Sequence, residues 1–300
     1  MAKDKRDRSA AQAKAAELRA AERKREQRKR VLLATGAVVA VLAIIGGIVF
    51  FGVTNKGSGS STASSSGGSS AQAPDQVVKD ITSVPPATFD AVGAGTASAF
   101  PSAANPPGTP SSGKPRVLYI GAEFCPFCAA ERWPVTVALA RFGTWKGLGV
   151  ITSSAADTPA SVPTLTFHGA TFTSSSVSFT GYETTTNQLN SSGTQYEPLD
   201  SVPADDLKIE ATYNPKGTIP FIYFDGKYIQ LGASYDPTIL LGKTQSQIAA
   251  ALANPTDPIS QAVVGAANVL TAAICATTDQ QPANVCTSSG VKAGAAKLGS

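Results

Sequence analysis

Val31 to Val53 is a run of 23 residues without a single charge, rich in Val, Ile, Leu, Gly and Phe. At about 1.5 Å of rise per residue, one helix of that length spans a hydrocarbon core of about 30 Å. The block Arg28-Lys29-Arg30 abuts one end, and only Lys56 lies near the other. Positive charge is retained on the cytoplasmic side, so the N-terminus is expected in the cytoplasm and everything after Val53 outside it. The first thirty residues hold twelve Lys or Arg and five Asp or Glu, a net of +7, whereas the whole chain is +4. The other 270 residues therefore carry −3, and the chain's basicity gives no ground for nucleic-acid binding by its folded part. A cleaved signal peptide would need an apolar region of roughly 7–15 residues with a small-residue cleavage site close behind. This run is longer, and the nearest Ala-x-Ala match, Ala71-Gln72-Ala73, lies far downstream. The expectation is a single-pass anchor in the cell membrane; under either reading the remainder occupies an oxidising compartment.

Composition divides the rest. Residues 1–30 form a basic cytoplasmic arm, 31–53 the transmembrane helix and 54–74 a Ser/Gly-rich tether. Residues 75–113 read as an irregular extension. A short helix from Asp75 to Val84 is expected there on the apolar spacing of Val77, Val78 and Ile81, ahead of Pro101, Pro106, Pro107 and Pro110. A dense α/β domain follows at 114–290, with a tail at 291–300. Val117 to Ile120 suits a buried strand, and Ala129 to Phe142 has helical spacing with a kink expected at Pro134. Leu148 to Thr152 reads as the second strand, and alternating polarity between 164 and 180 argues further strands. Phe221–Phe224 and Tyr228–Leu231 flank Asp225-Gly226-Lys227, a strong hairpin signal. Gln247–Ala253 and Ile259–Ala276 read as helices.

Cys125-Pro126-Phe127-Cys128 sits where a strand ends and a helix begins. A cysteine there faces unpaired backbone N–H groups and the positive end of the helix dipole, both of which stabilise a thiolate. Pro126 suits the first helical turn, where its missing N–H costs nothing. Three blander readings compete. Zinc requires about four ligands, but ten residues separate Cys275 from Cys286 and His168 is the chain's only histidine. A copper carrier would lack thioether help, because Met1 is the only methionine. A structural disulfide of this spacing is a strained, reducible staple. The reading is a redox pair, with no metal and no cofactor. Glu123 is either a proton acceptor for Cys128 or a solvated loop acid. His168, Phe124 and Trp133 read as structural. With an even cysteine count in an oxidising compartment, Cys275 and Cys286 read as a disulfide staple, a second redox pair being the minority alternative.

Thr218-Ile219-Pro220, leading into the hairpin, resembles the cis-proline motif of the thioredoxin superfamily, as Pro134 resembles the kink of that fold's first helix. The resemblance implies a thioredoxin-like fold with a β-rich insertion at 155–210 and a helical C-terminal extension. It further implies a cis Pro220 beside the cysteines and an Ile219 whose backbone receives a peptide strand. The run from Tyr119 to Trp133, with Arg141-Phe142-Gly143, Ile219-Pro220-Phe221 and Ile274-Cys275, resembles a prokaryotic family of anchored thioredoxin-like proteins catalogued as a domain of unknown function. The implied activity is thiol–disulfide exchange on exported protein thiols or disulfides, with Cys125 as nucleophile and Cys128 as resolving thiol. A membrane thiol oxidase as redox partner follows by analogy. Pro126-Phe127 supplies no positive charge, which points to a less oxidising pair than Pro-His versions. The alternative is a non-catalytic peptide- or envelope-binding module.

Overall fold

The computed structural model describes residues 70–299. The expected basic arm and transmembrane helix and most of the expected tether lie outside the described residues. A two-residue strand β1 (Ala71–Gln72) leads into helices α1 (Asp75–Thr82) and α2 (Pro86–Val92) and strand β2 (Ser102–Ala103). Strand β3 (Arg116–Gly121) then feeds helix α3 (Pro126–Ala140). Strands β4 (Gly143–Lys146), β5 (Gly149–Thr152), β6 (Pro163–Thr166), β7 (Thr171–Ser174), β8 (Ser178–Glu183), β9 (Thr185–Leu189) and β10 (Tyr196–Pro198) precede helix α4 (Ala204–Tyr213). After β11 (Phe221–Phe224) and β12 (Tyr228–Leu231), the chain closes with α5 (Gln245–Ala251), α6 (Pro258–Thr277), α7 (Ala283–Cys286) and α8 (Ser289–Ala295).

This is a mixed α/β fold around a five-stranded sheet of order β2-β12-β11-β3-β8. Strand β8 runs parallel to β3, and the other neighbours are antiparallel. The two central strands carry unbroken apolar runs because both faces of the sheet are covered. Val117, Tyr119, Ile222 and Phe224 face the larger core, which contains α3 and α6; Leu118, Ile120, Phe221 and Tyr223 face a smaller one closed by Val202, Ile209 and Tyr213. The Asp225-Gly226 turn forms as expected, with φ of 44° and 78° at those residues. Such left-handed values favour Asp and Gly.

Several elements depart from the sequence reading. The strand expected at 148–152 forms as β5, but in a separate three-stranded sheet with β1 and β6, and the parallel neighbour of β3 is β8. Strand β8 offers a six-residue register against β3, and its Phe179 joins an aromatic cluster with Trp145 and Phe167. The 75–113 segment is not merely irregular, because Val77, Ile81, Phe89 and Val92 of α1 and α2 are buried in the main core. The expected tail at 291–300 begins inside α8, which packs on α6 so closely that a Cβ on Gly294 would lie 2.5 Å from the Asn268 carbonyl. The segment expected to be β-rich ends in helix α4, and Pro203 followed by Asp205 and Asp206 is a helix-start pattern. Helix α6 is long and apolar enough to cross a membrane, but 89% of its most apolar window is buried inside the protein. It is a core helix, fastened to α7 by the Cys275–Cys286 disulfide.

Pro134 lies within α3, which runs unbroken from Pro126 to Ala140. A proline has no N–H, so the Ala130 carbonyl one turn earlier loses its helical donor. Tyr235 supplies the substitute: its hydroxyl donates to Ala130 O at 2.6 Å.

Candidate active site

The site is built where β3 ends and α3 begins. Cys125 is the N-cap residue of α3, in extended conformation, and its Sγ accepts the Cys128 N–H at 3.3 Å. The thiol in turn donates to the Ile219 carbonyl at 4.0 Å. Both thiols are free, with Cys125 5% exposed and Cys128 fully buried. The Ile219–Pro220 bond is cis, and the Pro220 carbonyl accepts the Gly232 N–H, which fixes this loop against the end of the hairpin. The structure thus brings Cys125, Cys128 and Ile219-Pro220 together. Phe127, between the cysteines, projects into solvent at 46% exposure.

The two thiols are made unequal. Cys125 is held below the usual thiol value, chiefly by its hydrogen bond with the Cys128 thiol. Burial opposes this, while the Cys128 and Phe127 backbone N–H groups and the charge of Arg132 reinforce it. Cys128 is pushed well up, first by burial and then by its hydrogen bond to Cys125, against the pull of Arg132.

The charges beneath the pair come from residues the sequence did not single out for chemistry. Arg132 lies four residues after Cys128, one turn along the same face of α3. It is fully buried and grips Glu183 at the end of β8 in two parallel bonds, Nε to Oε1 at 2.7 Å and Nη2 to Oε2 at 2.6 Å. Nη2 also donates to the Ala122 carbonyl at 2.7 Å, tying the guanidinium to the loop ahead of Cys125. Burial works against its charge, but Glu183 and the neighbouring Tyr119 and Cys128 outweigh that and hold it ionised. Arg132 Nη1 and the Tyr119 hydroxyl have no hydrogen-bond partner among the described residues, though both are buried.

Glu123 is not a solvated loop acid. It is 3% exposed, accepts the Thr166 hydroxyl at 2.7 Å, and is raised by burial above the ordinary carboxyl value. Glu183 is the carboxylate among the main influences on Cys128. No single-sequence signal distinguishes Glu183, because its role depends on the register that brings the end of β8 beside Gly121. The β9–β10 strands of the expected insertion edge the site: Glu123 N–H donates to Thr185 O, and Tyr196 stacks on Phe124 with centroids 4.1 Å apart. The His168 ring is exposed and bonded to Asp200 at 2.7 Å. No cluster of metal-ligating side chains occurs among the described residues.

No curated protein and no solved structure matches this chain. A family model does, over residues 104–216 and 211–276, a span that takes in both site cysteines, Arg132, Glu183 and Ile219-Pro220. With more than half of its length matched, the chain belongs to the family described as a domain of unknown function (DUF929).

Proposed function

We propose that this protein is a thiol–disulfide oxidoreductase of thioredoxin-like fold, held outside the cytoplasmic membrane by the Val31–Val53 anchor. The observation that carries the reading is the Cys125 thiol at the start of α3, bonded by the Cys128 N–H and facing the Ile219 carbonyl. The strand order β12-β11-β3-β8, with β8 parallel and β11 antiparallel to β3, supports the fold assignment. The Cys275–Cys286 disulfide is in keeping with an oxidising compartment.

In the reducing direction the Cys125 thiolate attacks one sulfur of a disulfide in an exported protein. A Cys125–substrate S–S bond forms as the substrate S–S bond breaks, and the leaving thiolate takes up a proton. Cys128 then gives up its proton and attacks Cys125 Sγ. The intramolecular disulfide forms and the second substrate thiol departs, so two electrons have passed to the substrate. Run backwards, the same steps oxidise a substrate dithiol, and a membrane thiol oxidase would accept the electrons. The lowered thiol is placed first and the raised one second, which suits attack by Cys125 and resolution by Cys128.

The test is trapping. Cys128→Ser should accumulate mixed disulfides on Cys125, and Cys125→Ser should abolish both trapping and turnover of a disulfide substrate. An unshifted Cys125 titration together with no trapped species would favour the binding-module reading instead.

A further inference from the structure

The Arg141-Phe142-Gly143 motif lies at the far end of α3 from the cysteines, and thiol exchange does not use it. Arg141 is the C-cap of the helix and borders a cavity of about 230 Å³. The cavity floor is apolar and buried at Ile81, Phe89 and Val137, whereas the rim residues Thr82, Pro86 and Asn284 are exposed. The guanidinium is fixed in place. Nη1 donates to Asn268 Oδ1 at 3.1 Å, Nη2 to Ser288 Oγ at 3.2 Å, and the group sits 4.1 Å above the centre of the Phe89 ring.

Every one of those partners is neutral. Asp90 is the carboxylate that acts on Arg141, but from a distance, and its Oδ1 is occupied by the Gly290 N–H at 2.8 Å. Burial without a bonded counter-charge brings Arg141 down to about 10. A cation so placed, beside apolar walls, gains a charge-assisted hydrogen bond by admitting an anion that the walls can also hold. At about 30 Å³ per water-sized group, the cavity has room for about seven or eight such groups.

We propose that this cavity binds a small organic carboxylate, its head group on Arg141 and a short aliphatic body against Ile81 and Val137. This reading is independent of the redox proposal.

The experiment is calorimetric titration of the full chain, solubilised in nonionic detergent, with hexanoate. Detergent alone serves as the blank, and acetate and hexan-1-ol as probes lacking the body or the charge. Saturable one-to-one hexanoate binding is expected, at least tenfold tighter than either control probe. Arg141→Gln and the cavity-filling Val137→Phe should each weaken it at least tenfold, with Cys125 alkylation rates unchanged. Non-saturable hexanoate heats, or hexan-1-ol binding as tightly as hexanoate in the unmodified protein, would overturn the site whatever the variants do. So would undiminished binding in a folded Arg141→Gln protein.

Discussion

Replacing Arg132 with Met removes a cation that is wholly buried and holds Glu183 through two bonds of 2.6 and 2.7 Å. The remaining Glu183 carboxylate would sit in the protein interior without its partner, and breaking a buried pair in this way costs about 3–5 kcal/mol. An exposed ion pair would lose only about 0–1 kcal/mol, so the two environments predict distinguishable outcomes. The double variant Arg132→Met/Glu183→Leu removes both charges and should recover most of the loss, because an apolar pair of similar volume fills the space without desolvating an ion. The measurement is a double-mutant cycle by urea denaturation, with an expected coupling of a few kcal/mol. Arg132 also pulls both thiols down, so its loss should move the alkylation profile of Cys125 to higher pH. Single variants each costing under about 1 kcal/mol, or a double variant as damaging as the sum of the singles, would refute the buried-pair reasoning. An unmoved alkylation profile would remove Arg132 from the control of the thiols.

Two further perturbations probe the same helix. Tyr235→Phe deletes the hydroxyl that satisfies the Ala130 carbonyl opposite Pro134, and should cost about 1–3 kcal/mol in denaturant melts. In a Pro134→Ala background, where the helix supplies its own N–H, the same change should be nearly neutral. Glu131 is fully buried against the backbone and hydroxyl of Ser234, and burial lifts it to about 8 from an ordinary 4.5. Its folded value lies above its unfolded one, so its stabilising contribution is complete below about pH 4.5 and is lost as pH rises, levelling off above about pH 8. The span amounts to at most about 4–5 kcal/mol, and Glu131→Gln should flatten that part of the stability–pH curve; an unchanged slope would show that Glu131 titrates normally.

What could be read from the sequence was whatever is encoded by neighbours along the chain. The cysteine pair at a helix start, the Asp225-Gly226 turn, the apolar strands at 117–120 and 221–224 and the α6 helix all follow from local backbone preference and periodicity. These signals act over one turn or one hairpin, so a single sequence carries them whole. The tertiary structure decided which distant groups meet. It set β8 beside β3, and so delivered Glu183 to an arginine 51 positions away. It placed the Tyr235 hydroxyl on a carbonyl 105 positions away, and it took Glu123 out of solvent into a bond with Thr166. In each case the energy lies in burying a polar group that must then find a partner. Which partner is near depends on strand register and helix packing, and those are settled by the whole core at once.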